Sequence, residues 1–177
     1  TNTKKTSVDI IIVSHNNRDI LGECLNSIKE QSYKNYKIYL LDNDSRDGTP
    51  EFIRKDYPEV EFRDIPKTGP AEKRNIGIKR GNSKYIVVMD SDARLTKEWL
   101  KIAVDYMELH EDVGRCNGKI LFYDGTIDAA GGIIAKNCGG TDIGHGKKDN
   151  EEYNKFGRVG YLKSATLMIR RKLIEEI

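Results

Sequence analysis

Two acidic side chains, Asp90 and Asp92, follow directly on an uninterrupted apolar run, 85–89. Such a run is typical of a strand buried on both faces. If extended geometry continues through Ser91, both carboxylates point the same way and repel each other unless a cation lies between them. Mg²⁺ and Mn²⁺ accept such oxygen ligands and share their shell with phosphates. The alternative is a strand followed by an acidic turn, with Ser91 or Asp92 capping the next helix.

The composition excludes several classes of protein. The chain has 177 residues, which suits one domain with a hydrophobic core, and its net charge of +2 predicts no nucleic-acid partner. Its apolar runs are too short to span a bilayer, and residues 1–7 do not form a signal peptide. Three cysteines, without zinc-site spacing, favour a reducing compartment. We expect a cytoplasmic protein whose contact with the membrane, if made, is peripheral at its inner face.

Strand and helix patterns alternate through the first half of the chain. Because parallel strands with crossover helices produce this alternation, the sequence predicts an α/β, doubly wound, mostly parallel sheet. Acidic residues lie at the ends of three of the strands, at Asp42, at Asp64 and at the Asp90–Asp92 pair. Carboxyl ends of parallel strands lie at one edge, so Asp42 and Asp90 are expected to share a crevice. The predicted strands are Val8–Val13, Tyr36–Leu41, Val60–Ile65 and Lys84–Met89, with helices after each.

The loop after the first strand, Ser14-His15-Asn16-Asn17, contains no glycine. A dinucleotide-binding loop needs glycines for close approach to the pyrophosphate, so this loop binds a different ligand or none. Asn16 or Asn17 is expected to cap the following helix, and ligand contact by Asn16 is the alternative.

The second half of the chain has a different pattern. A hairpin with an Asp124-Gly125 turn is predicted over 119–130, and a long loop rich in Gly, Lys and Asn over 131–157. A strand over 160–169 and the start of a helix over 170–177 follow. Arg170 to Lys172 are expected to be a solvated edge. His145 is either a metal or acceptor contact or a mobile loop residue.

Five stretches, in this order, resemble the family-two glycosyltransferases, which have the GT-A fold. The resemblance covers about residue 8 to the end of the chain. The glycines 131, 132, 144 and 146, together with Phe156, look most like the branch that includes rhamnosyltransferase-type enzymes. The five stretches are Ile11–Asn17; Leu25–Ile28 with Gln31–Tyr33, Leu40–Ser45 and Asp47–Thr49; Arg74–Ile78; Tyr85–Asp92; and Lys163–Arg171.

The resemblance implies roles for the acidic residues. Asp92 would be the metal ligand for Mg²⁺ or Mn²⁺, and Asp90 would bond the ribose or reach the metal through water, with Ser91 beside them. Asp42 would accept a hydrogen bond from the imide N–H of uracil or thymine, since an ionised carboxylate only accepts. An Asx turn that closes the second strand is the alternative role for Asp42.

Further nucleotide-sugar contacts are expected from the first loop and from the third helix. Backbone groups of Ser14 and the ring of His15 would contact the base. Arg74 would pair with a phosphate or remain a solvated helix charge. Asn75 is a poor helix former, which favours a specific hydrogen bond by its side chain.

The function that follows from the resemblance is transfer of a sugar, with inversion, from a UDP- or dTDP-sugar to a hydroxyl of a glycan or lipid-linked acceptor. We expect residues 1–7 to be flexible, 8–109 to form the nucleotide-binding half, and 110–177 to begin the acceptor half. The family's catalytic base would lie beyond Ile177. Two alternatives remain: a nucleotide-binding domain without turnover, and a sugar-phosphate nucleotidyltransferase, although the latter often has a Gly-rich first loop.

Overall fold

The computed structural model describes residues 6–66 and 68–176, and it is built around one central sheet. Residues 1–5 of the predicted flexible segment lie outside this range. The elements, in chain order, are β1 (Val8–Ser14), α1 (Arg18–Lys29), β2 (Tyr36–Asp42), α2 (Thr49–Asp56), β3 (Glu61–Asp64), α3 (Pro70–Ile78), β4 (Tyr85–Asp90), α4 (Trp99–Leu109), β5 (Arg115–Cys116), β6 (Ile120–Leu121), β7 (Ile127–Ala129), β8 (Gly132–Ile134), β9 (Gly140–Asp142), a 3₁₀ turn (Glu151–Tyr153), β10 (Thr166–Arg170) and α5 (Lys172–Glu175).

The central sheet has the strand order β3-β2-β1-β4-β10-β5. β3, β2, β1 and β4 are parallel, and β10 pairs antiparallel with both β4 and β5. The predicted α/β architecture with a mostly parallel sheet is therefore confirmed. β1 lies between β2 and β4, so the loops after these three strands emerge side by side.

Alternate residues of the central strands supply two hydrophobic layers, as the period of two requires. One layer packs α1, α2 and α4 against the sheet, and Cys24 belongs to it. The other layer contains Ile11, Tyr39, Ile86 and Val88, with Ile78 and Ile174 packed against them. Within the part of the chain that the structure describes, no helix is long and apolar enough to cross a membrane.

Helix α3 approaches the sheet unusually closely at Gly77. A Cβ atom at this position would lie 2.4 Å from Cγ2 of Ile11 and 3.0 Å from Cδ1 of Leu41. Because no side chain fits there, glycine permits the helix to lie directly on β1 and β2. This close packing holds the first turns of α3, with Arg74, near the carboxyl edge of the sheet.

A buried ion pair joins the start of the chain to its last helix. The Asp9 carboxylate, 1% exposed, accepts hydrogen bonds from the Arg171 guanidinium at 2.7 Å and from the Ser83 hydroxyl at 2.7 Å. Arg171 also donates to the main-chain oxygens of Ser83 and Ile78. The neighbouring Arg170 is buried as well and donates to the Met107 carbonyl at 2.8 Å. The prediction of a solvated edge at 170–172 is therefore wrong for both arginines.

The structure also corrects the predicted second half. The hairpin with the Asp124-Gly125 turn is confirmed as β6 and β7, and Gly125 has the positive φ of 82° that the turn requires. The segment 131–157, predicted to be a loop, instead contains the hairpin of β8 and β9. The predicted strand over 160–169 begins only at Thr166, because Tyr161 pairs with Gly132 of β8.

The caps of the first two helices differ in type. Helix α2 begins at Thr49, and Gly48, with φ 84°, occupies its cap position. Asn17 occupies the cap position of α1, but its side chain makes no cap hydrogen bond. Its side chain is used elsewhere, as described below.

Substitution of Gly77 by alanine is expected to destabilise the protein, because the added methyl group must displace Ile11 or move α3. Overpacking of this kind costs about 1–3 kcal/mol. Gly69→Ala is the matched control, since nothing lies within 4 Å of a Cβ at that position. Urea denaturation of both variants measures the difference, and equal stabilities would contradict the close approach of α3.

Asp9→Asn is expected to lower the free energy of unfolding by about 3–5 kcal/mol, because it leaves the Arg171 guanidinium buried without a counter-charge. Asp105→Asn is the control. It breaks the Lys101–Asp105 pair, whose side chains are 54% and 55% exposed, and should change the stability little because solvent screens such a pair. Chemical denaturation measures the free energy of unfolding of both variants. Similar losses would contradict a large contribution of the Asp9–Arg171 pair to stability.

Candidate functional site

The polar residues at the ends of three parallel strands lie at one edge of the sheet. Ser14 of β1 is in register with Asp42 of β2, and Val13 is in register with Asp90 of β4. Neighbouring strands are about 4.8 Å apart, so the main chains of Asp42 and Asp90 are roughly 10 Å apart, with β1 between them. The register of the strands is thus consistent with the prediction that Asp42 and Asp90 share one crevice.

Asp42 is fully buried and forms a turn with Ser45. Its carboxylate accepts a hydrogen bond from the Ser45 N–H at 2.9 Å and one from the Ser45 hydroxyl at 2.7 Å. Burial raises the pKa of Asp42, although the two hydrogen bonds from Ser45 act in the opposite direction. The predicted Asx-type turn is therefore present. Since each carboxylate oxygen has two lone pairs, this turn leaves Asp42 capacity for a further donor.

The loops after β1 and β4 are joined by the side chain of Asn17. Its Oδ1 accepts a hydrogen bond from the Ser14 hydroxyl at 2.5 Å, and its Nδ2 donates to the Ser91 hydroxyl. This bridge explains why the Asn17 side chain makes no cap hydrogen bond with α1. Ser14 and Ser91 are both buried, and their hydroxyls hold the two loops together through Asn17. Their predicted contacts with a nucleotide-sugar stay predictions.

The loop after β1 is also bound to the loop after β2. The Nδ1 atom of His15 is 2.6 Å from the main-chain oxygen of Asn43, and its Nε2 atom is 3.3 Å from Nδ2 of Asn16, while the residue is exposed. Asn16 has φ 48°, its N–H donates to the Ser45 hydroxyl, and its Oδ1 accepts from the Arg46 N–H. Asn16 is therefore a loop-connecting residue and not the helix cap. These contacts hold the His15 ring at the carboxyl edge of the sheet.

A buried polar atom beside this loop lacks a partner. The Oδ1 atom of Asn43 is buried and makes no hydrogen bond with the residues that the structure describes, and the same is true of the Thr68 hydroxyl. Buried polar groups are normally hydrogen-bonded. An unsatisfied atom next to Asp42 is consistent with an edge that binds a polar ligand.

Arg74 forms an ion pair with Asp90. The distance between Nη2 and Oδ1 is 2.8 Å, and the two side chains are 32% and 40% exposed. Burial raises the pKa of Asp90, Arg74 lowers it, and the nearby Asp92 adds to the rise. Arg74 is therefore not the solvated helix charge that was one of its two predicted roles. Asn75 is exposed on the same helix, and the predicted specific hydrogen bond of its side chain is not among the contacts of the described residues.

Asp92 differs from the other two acids because its carboxylate is exposed. It makes no hydrogen bond or ion pair with any residue between 6 and 66 or 68 and 176. Its main-chain oxygen accepts a hydrogen bond from the Tyr123 hydroxyl at 2.7 Å. A carboxylate that is free of partners and next to a second carboxylate is a suitable donor set for Mg²⁺ or Mn²⁺. The residues present therefore fit a divalent cation.

A second acidic group lies in the other half of the chain. Ligand atoms of Asp128, Asp142 and His145 lie within 4.8 Å of one another. The Lys163 ammonium lies 2.6 Å from Asp128 and 2.9 Å from Asp142, so both carboxylates already form an ion pair with it. A cation here would have to displace Lys163. Only His145 of the three was a candidate from the sequence, and the pairing of the hairpins brings Asp128 and Asp142 to it.

The sequence model of the family described as "Glycosyl transferase family 2" matches residues 9–177. The chain belongs to this family. Among curated members, the putative teichuronic acid biosynthesis glycosyltransferase TuaG of Bacillus subtilis is 27% identical over 108 residues, which are 58% of this chain and 42% of TuaG.

Two solved structures of glycosyltransferases are similar to this family member. The mannosyltransferase PcManGT of Pyrobaculum calidifontis, in complex with GDP-Man and Mn²⁺, has a TM-score of 0.67 and 19% identity, over 98% of this chain and 47% of that one. TarS 1–349 of Staphylococcus aureus, in complex with UDP-GlcNAc, has a TM-score of 0.68 and 16% identity, over 96% and 47%. At these identities the likeness shows the fold, and the predicted GT-A-like class is confirmed. The chain spans less than half the length of each of these relatives.

Asn17→Ala is expected to loosen the loop that contains Ser91 and Asp92, because it removes both hydrogen bonds of the bridge. Two buried hydroxyls lose their partner, for a cost of about 1–3 kcal/mol in the free energy of unfolding. Hydrogen exchange at the amides of residues 91–93 should become faster. The exposed Asn82 provides the control in Asn82→Ala, and unchanged exchange in Asn17→Ala would argue against the bridge.

Proposed function

We propose that this chain binds a nucleoside-diphosphate sugar for metal-dependent, inverting transfer of the sugar to an acceptor hydroxyl. The observation that carries the proposal is the placement of Asp42 and the Asp90–Asp92 pair at the ends of β2 and β4, on either side of β1. The Asp92 carboxylate is exposed and has no partner among the described residues. A donor of this kind extends from its base to its diphosphate over several ångströms. Asp42, an acceptor of hydrogen bonds, lies at one end of the edge and would match the base. The carboxylates of Asp90 and Asp92 lie at the other end and would match the metal-bound diphosphate.

Asp92 would hold Mg²⁺ or Mn²⁺, with Asp90 bonding the ribose or reaching the metal through water. When bound, the cation supplies positive charge beside the diphosphate leaving group. Arg74, now paired with Asp90, lies close enough to this position to share its guanidinium with a phosphate. PcManGT was solved with Mn²⁺, which supports a divalent cation for this chain as well.

The base of the nucleotide would lie between the His15 ring and Asp42. An ionised Asp42 accepts hydrogen bonds only, so it favours the imide N–H of uracil or thymine. The unsatisfied Oδ1 of Asn43 lies in the same loop and supports a polar ligand there. TarS was solved with UDP-GlcNAc and PcManGT with GDP-Man, so the choice among bases is left to the experiment below.

We propose that residues 8–109 form the donor half, and that 110–177 begin the acceptor half. The acceptor would be a glycan or a lipid-linked glycan, and the name of TuaG supports a role in polysaccharide biosynthesis. The base that deprotonates the acceptor would lie outside the donor half. The sugar, the rhamnosyltransferase-like branch and the cytoplasmic location, with any contact at the inner membrane face, stay predictions.

Calorimetric titration of the chain with UDP, dTDP and GDP, with and without Mn²⁺, tests the proposal. We expect a pyrimidine diphosphate to bind with the metal, and Asp92→Ala to weaken this binding at least tenfold while metal-free binding changes little. Asp42→Ala should weaken binding in both conditions, because it acts on the base.

Asp56→Ala is the matched control, since it removes an exposed carboxylate at the far end of α2. A folded chain that binds none of the three nucleotides would overturn the proposed function. Binding without turnover by a longer protein would instead indicate a nucleotide-binding domain.

A further inference from the structure

The tip of the β6–β7 hairpin lies on the loop that follows β4. The Tyr123 hydroxyl at this tip donates a hydrogen bond to the main-chain oxygen of Asp92 at 2.7 Å, across 31 positions of sequence. This contact joins the second half of the chain to Asp92, whose side chain has no partner among the residues that the structure describes. It lies on the main chain of Asp92 and therefore leaves the carboxylate free.

Burial does not explain why a tyrosine is at this position. Tyr123 is 74% exposed, so its ring adds little to the hydrophobic core. Its ring instead lies under the Arg94 guanidinium, at 4.7 Å from the ring centroid. Arg94 in turn pairs with Glu23 of α1 at 2.5 Å. The ring is thus held in place, and its hydroxyl is directed at Asp92.

The hairpin itself is firmly anchored in the second half of the chain. Asp124 accepts hydrogen bonds from the N–H and hydroxyl of Thr126 at 2.9 and 2.7 Å, which stabilises the turn. The ring of Phe122 contacts His145 edge-on at 5.6 Å between centroids, and Nδ1 of His145 is 2.9 Å from the Asp128 carbonyl oxygen. The tip is therefore supported by the group of residues around Lys163.

We infer that Tyr123 is a positioning residue for the Asp92 carboxylate, an inference that rests on the proposed metal role of Asp92. The direction of an exposed carboxylate depends on the main chain that bears it. The only side-chain contact to the main chain of Asp92 among the described residues comes from the Tyr123 hydroxyl. This hydroxyl holds the peptide in the orientation that directs the carboxylate toward the cation, so cation affinity depends on the second half of the chain.

Tyr123→Phe tests this inference, because it removes the hydroxyl and keeps the ring beneath Arg94. Mn²⁺ affinity is measured by electron paramagnetic resonance, and UDP affinity by calorimetry with and without Mn²⁺. We expect Mn²⁺-dependent binding to weaken about three- to tenfold, metal-free UDP binding to stay the same, and the melting temperature to change little. If another diphosphate binds better to the parent chain, it replaces UDP.

Tyr161→Phe is the matched control. It removes a hydroxyl that also donates a hydrogen bond in the second half of the chain, to Asp142 at 2.8 Å. We expect parent-like Mn²⁺ affinity from it. In an Asp92→Ala background, Tyr123→Phe should have no further effect on metal-dependent binding, because the carboxylate that it positions is absent.

The outcomes separate the two proposals. A parent chain with no Mn²⁺-dependent binding would overturn the metal role of Asp92 and this inference with it. A parent chain that binds with the metal, together with a Tyr123→Phe variant of equal Mn²⁺ affinity, would overturn the inference alone. If Tyr123→Phe weakened UDP binding by the same factor with and without Mn²⁺, the inference would also be overturned, since this result indicates a general structural loss.

Discussion

The parallel register of β1, β2 and β4 is the constraint on which the candidate site depends. Strands in register bring the ends of three distant segments to one edge, and a shift of one residue would turn every alternating side chain to the opposite layer. Asp42, Ser14 and Asp90 reach this edge because the same register satisfies both hydrophobic layers. The packing that stabilises the sheet therefore also sets the spacing of the site.

The two edges of the sheet use charged groups differently. At the amino edge, Asp9, Ser83 and Arg171 form a closed set in which the carboxylate and guanidinium satisfy each other. At the carboxyl edge, polar groups are joined through loops, while the Asp92 carboxylate stays free of partners in the described chain. A closed set stabilises a fold, whereas an open one can receive a ligand, and this contrast supports a site at the carboxyl edge.

The second half of the chain is hydrogen-bonded directly to the first half, at the end of β4 and in the loop after it. The Asp90 N–H donates to the Ala165 carbonyl, and the Tyr123 hydroxyl donates to the Asp92 carbonyl. These two hydrogen bonds to the second half of the chain hold the end of β4 and the loop that follows it. A half that would contact the acceptor is in this way connected to the residues that would contact the donor.

Local pattern was enough to predict the parallel strands, the Asp-Gly hairpin and the acidic strand ends, because period, turn chemistry and buried runs act over a few residues. The edge shared by Asp42 and Asp90 also followed, since parallel strands have one direction. The contacts that individual side chains make could not be predicted in this way. Arg170 and Arg171 looked solvated by type, yet their partners lie between 57 and 162 positions away in sequence.

The sequence by itself thus determined the class of fold and the acidic residues available for chemistry, through patterns that each segment carries alone. The tertiary structure decided which of them are committed to partners: Asp42 to Ser45, Asp90 to Arg74, Asp128 and Asp142 to Lys163. It also decided that Asn17 joins two loops and that Tyr123 contacts Asp92. The physical reason is that hydrogen bonds and ion pairs depend on distances of about 3 Å, which sheet register and hairpin packing establish between segments far apart in sequence.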